Sequence, residues 1–229
     1  FTLVTLEDLF WRRGITPQAG KVYYSAKNTE VNRCERALWF DESKLSTHWA
    51  AASIDYVRQK GLMHNNPYGE FTPNFPLTRG MFVTCLGRLA GVEGDAASTG
   101  YRDLSADHYA APYAAWAKEA DIMRGLPDGR FAPDAPITRQ ELATALARYA
   151  ALCGAESGDT GAPVYHDQAA IADWAKDGVA LCGQLGLLVG ANGTFSPTDT
   201  ATRAMGAVIL QRLDEADLRP QPVENGSNI

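Results

Sequence analysis

The sequence predicts an all-α protein of three helix–loop–helix repeats sharing one core. Two observations carry this. A Phe-x-Pro-x4-Thr-Arg frame occurs three times, from Phe71 to Arg79, Phe131 to Arg139 and Phe195 to Arg203. Apolar residues on either side of each frame recur at helical spacing. Arg79 and Arg139 stand 60 residues apart, and Arg139 and Arg203 stand 64 apart, the third copy having one residue fewer in the loop before its Phe.

Each repeat reads the same way along the chain. The first helix is marked by Ala50, Ile54 and Val57, with equivalents Ala110, Ala114, Ala117 and Ala175, Val179, Cys182, all at i, i+4, i+7. Gly61 and Gly186 suit a left-handed stop after it. The loop then carries turn chemistry, Pro127-Asp128-Gly129 in the second copy, where Pro presets φ and Gly accepts a positive one. Thr78, Thr138 and Thr202 are N-caps for the second helix, whose stripe includes Leu86, Leu146 and Leu210, then Leu89, Tyr149 and Leu213. Glu141 completes a capping box in the second copy only; Met81 and Met205 take its place elsewhere. One helix pair cannot cover its own apolar stripe, but three can close a common core.

These signals divide the chain into repeats at 40–100, 101–164 and 165–214, joined by the Gly- and Ser-containing stretches Gly91–Gly100 and Gly154–Gly161. Residues 1–39 lie outside the repeat and suit the trailing edge of an upstream domain, with a short capped helix from Thr5 to Trp11 and a short strand from Lys21 to Tyr24. The polar, Pro-bearing stretch 215–229 reads as a frayed tail. Phe1 in place of Met suits a piece of a longer or processed protein.

Bulk properties narrow the function. Of 229 residues, 45% are aliphatic or aromatic and 21% charged, as in folded domains. A net charge of −6 argues against a nonspecific nucleic-acid binder. No apolar run approaches the ~20 residues of a membrane span, so no membrane insertion is expected. Cys34, Cys85, Cys153 and Cys182 lack CxxC spacing and read as reduced, structural residues. No metal-ligand pair, HExxH, GxSxG, Walker loop or dinucleotide fingerprint occurs, so neither cofactor nor catalysis is expected. His48 and His108 hold equivalent positions and suit polar contacts at a helix start.

Arg79, Arg139 and Arg203 are the residues folding alone does not explain. A cation at the first helical position sits at the wrong end of the helix dipole. Two readings stay open. In one, each Arg is clasped internally by the recurring acids Asp41, Asp103 and Asp167. In the other, free helix N–H groups and the guanidinium fork form an anion site. Trp49, Tyr109 and Trp174 likewise suit either sugar stacking or the core.

The order aromatic-x-Asp, His-Trp-Ala, Gly-Leu, Asp-Gly-x-Phe-x-Pro and Ile-Thr-Arg-x-Glu resembles the S-layer homology module of Gram-positive surface proteins. The second copy, Tyr101 to Tyr149, matches best. The resemblance implies three modules folded as a pseudo-threefold helical spindle. It implies noncovalent anchoring of a secreted protein to a secondary cell-wall polysaccharide, often through a pyruvylated amino sugar. It further implies that Arg79, Arg139 and Arg203 lie in inter-module grooves and meet the pyruvyl carboxylate. Asp41, Asp103 and Asp167, with Trp49, Tyr109 and Trp174, would line those grooves. Copies one and three depart from Thr-Arg-x-Glu, and Tyr109 replaces a Trp, which ranks Arg139 first. A helical-repeat surface for protein–protein contact or self-assembly is the competing function, told apart by a long apolar concave face rather than separate Arg-bearing grooves.

Overall fold

The computed structural model describes residues 42–66, 69–93, 98–155 and 161–220. The expected Thr5–Trp11 helix and Lys21–Tyr24 strand, and Asp41, lie outside these residues.

The fold is all-α. Six α-helices are described: α1 (Ala51–Gln59), α2 (Arg79–Leu89), α3 (Ala111–Glu119), α4 (Arg139–Leu152), α5 (Lys176–Gln184) and α6 (Arg203–Glu215). Short 3-10 turns cover Glu42–Thr47, Gln168–Ala170 and Asp173–Ala175. Odd-numbered helices are the first of each repeat, even-numbered the second. The expected stripes are buried throughout: Ile54 and Val57 on α1, Ala114 and Ala117 on α3, Val179 and Cys182 on α5. On the second helices Leu86, Leu146, Leu210 and Tyr149 are equally enclosed.

Helix ends follow local chemistry. Thr78, Thr138 and Thr202 each accept the amide three residues on, and only Thr138 forms the full capping box with Glu141. Gly61 and Gly186 adopt φ of +67° and +65°, and the following amides of Leu62 and Leu187 donate to Val57 O and Cys182 O, closing Schellman-type ends. Asp121 takes the same left-handed position in the second repeat, at φ +57°. The shortened third loop is a two-residue hairpin at Asn192-Gly193, both at positive φ, with Ala191 and Thr194 exchanging hydrogen bonds.

Helices find their main partners in the neighbouring repeat. α2 packs on α3, α4 on α5, and α6 returns to α1. Close approach is built in: a Cβ on Gly87 would lie 2.3 Å from Tyr113, and one on Gly178 would lie 2.9 Å from the Thr144 backbone. The α6–α1 seam is tied by Tyr56, whose hydroxyl donates to Asp214 at 2.6 Å.

A ring of backbone hydrogen bonds links the three residues before the Thr caps. Leu77 N–H donates to Ala201 O, Ala201 N–H to Ile137 O, and Ile137 N–H to Leu77 O, at 2.8–3.0 Å. Leu77, Ile137 and Ala201 are fully enclosed, as are Phe71, Phe131 and Phe195 of the repeated frame. The tail starts docked rather than frayed: Leu218 O accepts from the Tyr149 hydroxyl at 3.0 Å.

Phe131 is entirely buried, so truncating it removes apolar contact and leaves a cavity. Phe131→Ala should destabilise the chain by about 3–5 kcal/mol, read from the midpoint of urea unfolding at unchanged m-value.

Candidate functional site

The Thr-Arg step places each arginine at a seam. Its main-chain and side-chain donors both go to the next repeat's Phe-x-Pro loop. Arg79 N–H donates to Ala135 O, and Gly80 N–H to Pro133 O. The pairs Arg139 to Asp199 and Gln140 to Pro197, then Arg203 to Phe75 and Ala204 to Pro73, repeat the pattern around the molecule. With the third amide taken by the capping Thr, the first three helical N–H groups are all used. This corrects the expectation of a free helix N-terminus: an anion here must be recognised by the guanidinium.

The side chains continue the cycle. Arg79 Nε donates to Phe131 O, Arg139 Nε to Phe195 O and Arg203 Nε to Phe71 O, at 2.7–2.9 Å. Each guanidinium also lies 4.7–5.3 Å from the centroid of the same Phe ring. All three arginines are buried. Burial pushes the Arg79 and Arg139 guanidinium pKa values down, though Arg stays protonated.

The Asp–Arg clasp does not form for the acids described. Asp103 instead accepts the amides of Phe131 and Ala132, at 2.7 and 2.8 Å, and Asp167 accepts those of Phe195 and Ser196, at 2.8 and 2.7 Å. Ala132 and Ser196 sit at φ +56° and +55°, a conformation L side chains rarely adopt. The carboxylate holds that strained corner by its N–H groups while the arginine holds it by the Phe carbonyl. Asp41 lies outside the described residues, and the constant step of 60 makes Ser43, not Asp41, the register equivalent of Asp103.

What faces the far side of each fork differs. Arg139 Nη2 donates to Val189 O at 3.0 Å, and Nη1 approaches Met205 Sδ at 3.7 Å. Arg203 Nη2 donates to His64 O at 2.7 Å, and Nη1 approaches Met81 Sδ at 3.8 Å. Arg79 instead pairs with the Glu141 carboxylate at 3.3 Å.

The aromatic set is exposed, which removes it from the core: Trp49 is 66% exposed, Tyr109 50% and Trp174 58%. His48 and His108 stack beside Trp49 and Tyr109 and accept the amides of Ala50 and Ala110, as a helix-start role requires. Each ring stands by the start of a second helix in the preceding repeat. The Tyr109 hydroxyl lies 2.9 Å from where a Cβ on Gly80 would be, which explains glycine in Thr-Arg-Gly-Met. Trp116 does not substitute for the missing Trp, because it packs edge-on against Tyr149.

An open groove of about 390 Å³ joins all three repeats. Arg139 comes from the second, Trp49 from the first, and Phe195, Asp199, Met205 and Arg212 from the third. Arg212 belongs to a set sequence reasoning missed. Arg88, Arg148 and Arg212 recur at the same steps of 60 and 64, and each donates to a carbonyl at the end of its own repeat's first helix. The matching steps were the available signal. Among the described residues no group of three metal-binding side chains occurs. Cys85, Cys153 and Cys182 are free thiols, and burial pushes Cys85 up to about 11 and Cys182 up to about 12.

A family model of the S-layer homology domain matches residues 44–80, 100–143 and 164–204, just over half of the chain. The chain belongs to the S-layer homology domain family. Its S-layer homology repeats are similar to part of the amylopullulanase of Thermoanaerobacterium thermosulfurigenes, 32% identical over 175 residues, covering 75% of this chain and 9% of that protein. The S-layer protein sap of Bacillus anthracis is 28% identical over 169 residues, covering 73% of this chain and 20% of its own length. The cellulosome-anchoring protein of Acetivibrio thermocellus is 34% identical over 100 residues, covering 42% and 22%. The chain thus spans less than a quarter of each of these relatives. Membership of a family found in S-layer and cell-surface proteins places these S-layer homology repeats at the cell surface. No described helix is long and apolar enough to cross a membrane.

The amides of Phe195 and then Ser196 hold the Asp167 carboxyl below its ordinary value of 3.8, outweighing its partial desolvation. A depressed folded value stabilises the fold above the unfolded pKa and loses that contribution as pH falls through the folded one. Asp167→Ala should therefore lower the thermal midpoint at pH 7. The gap to the unaltered protein should close as pH drops below about 3.8, followed by circular dichroism melts across pH.

Proposed function

We propose that these S-layer homology repeats anchor a surface protein noncovalently to a cell-wall polysaccharide, with the Arg139 groove receiving an acidic sugar. The carrying observation is Arg139 itself: a buried guanidinium whose side-chain hydrogen bonds go to two carbonyls and a thioether, at the base of a groove with an exposed tryptophan on its wall. Among the described residues no carboxylate stands within ion-pair distance of it. A guanidinium has five N–H donors, and those beyond these contacts suit a planar carboxylate, which it grips in fork geometry better than a lysine does. Trp49 offers a face for a pyranose ring and Arg212 a second cation. A pyruvylated amino sugar combines the required parts, an acid on an apolar-faced ring. Arg203 with Tyr109, and Arg79 with Trp174, are the corresponding pairs of the other two seams, and Asp103 and Asp167 serve these sites by fixing the loops.

The chain itself is a binding module in this reading, and the catalysis named in relatives such as the amylopullulanase resides in parts of those proteins that this chain does not match. The named role of the cellulosome-anchoring protein supports anchoring here. The chain should sediment with purified cell walls and stop doing so after acid extraction of the secondary polymer; retention on extracted walls would overturn the proposal.

Arg139→Ala loses the Phe195 carbonyl contact as well as the fork, so it should weaken both folding and binding. Arg139→Lys is the cleaner variant. It should keep the helical spectrum while lowering wall affinity at least tenfold, about 1.4 kcal/mol.

A further inference from the structure

The groove that holds Arg139 has a second cation at its other end. Arg139 Nη1 stands 3.7 Å from Met205 Sδ, in the first turn of α6. Arg212 lines the same groove from the same helix, two turns further on. Two turns place Met205 and Arg212 about 10 Å apart along the helix axis. Val208 and Ile209 lie between them on the same face and line the groove with apolar side chains. The groove is thus apolar along α6 and cationic at each end.

Arg212 is held without being neutralised. Its Nη1 donates to Gly186 O at 2.9 Å and to Leu187 O at 3.2 Å, which fixes the guanidinium beside the groove. Both contacts use one nitrogen of the fork. The acids next to it on α6 are turned to other partners, Asp214 to Tyr56 and Glu215 to Gln211. Among the described residues no carboxylate stands within ion-pair distance of Arg212, whereas Arg124, Arg130 and Arg219 each have one. The carboxylate-bearing residue that lines the groove is Asp199, whose carbonyl takes the Arg139 amide, so it stands at the Arg139 end. A guanidinium already fixed by its own chain loses little freedom on pairing with an anion, and that ordering is a main cost of an exposed ion pair.

We propose that Arg212 reads a second negative charge, so that the groove takes an acidic sugar together with an acidic neighbour in the same polymer. This rests on the reading of Arg139 as the site of the first acid. The ligand class is an oligosaccharide with acids on adjacent residues, its ring faces against the apolar stretch between the two arginines.

The test is calorimetric titration of the whole chain with two synthetic disaccharides that share a pyruvylated amino sugar. In one the neighbouring residue is a uronic acid; in the other it is the corresponding neutral hexose. The unaltered protein should bind the diacidic sugar about fivefold more tightly, the upper range for an exposed charge pair. Arg212→Gln should abolish that preference and leave affinity for the monoacidic sugar unchanged. Arg212→Lys, which keeps the charge, should retain most of the preference. Circular dichroism follows the folding of each variant. Equal affinity of the unaltered protein for both disaccharides would overturn the proposal and leave the Arg139 reading intact, a comparison that needs no variant to fold. Equal weakening of both sugars by Arg212→Gln would leave Arg212 a structural role only and would overturn it too. So would a preference that survives Arg212→Gln, since another cation would then read the second charge. Binding of neither sugar would overturn both readings.

Discussion

Everything else in the structure depends on how the Phe-x-Pro corner of one repeat is held by the helix start of another. The corner needs a non-glycine residue at positive φ, which the chain does not adopt unassisted. In the second and third repeats an aspartate takes the amides of the corner and an arginine from the preceding repeat takes its Phe carbonyl. In return, carbonyls of the same loop satisfy the first amides of that helix. Neither side is complete alone, and the Leu77–Ile137–Ala201 ring makes the dependence circular.

This arrangement explains why a cation stands at the first position of three helices. The dipole penalty is met by main-chain carbonyls, joined at Arg79 by the Glu141 carboxylate. The arginines are therefore architectural through Nε, and in the proposed reading the far edge of the Arg139 fork is what receives the ligand. A buried cation held mostly by neutral oxygens keeps an affinity for anions.

Much of this was legible in the sequence. Periodicity, Thr caps, the lone capping box and the turn glycines gave the helices, because those signals are local and each has a short-range physical cause. The recurrence of the three Thr-Arg steps at helix starts was also legible. Pairing across repeats was not, since helical stripes say which face is buried and not against which neighbour. The clasp, one of the two readings left open for the aspartates, fails at Asp103 and Asp167 because an Asp near an Arg in register suggests a salt bridge, whereas the demand came from backbone amides in a strained turn. Trp49, Tyr109 and Trp174 stayed ambiguous because aromatic area serves cores and sugar faces equally well. The second arginine set, Arg88, Arg148 and Arg212, was present in the same spacing and went unread because it lacked a conspicuous neighbour motif.

The central claim is that the three seams form one closed, mutually dependent unit. Native-state hydrogen exchange at the amides of Leu77, Ile137 and Ala201 tests it most directly. Closure predicts that all three exchange together, with equal protection set by global unfolding. Faster exchange at Leu77 than at Ile137 and Ala201, with the core still protected, would show that the third repeat parts from the first independently and would contradict the account.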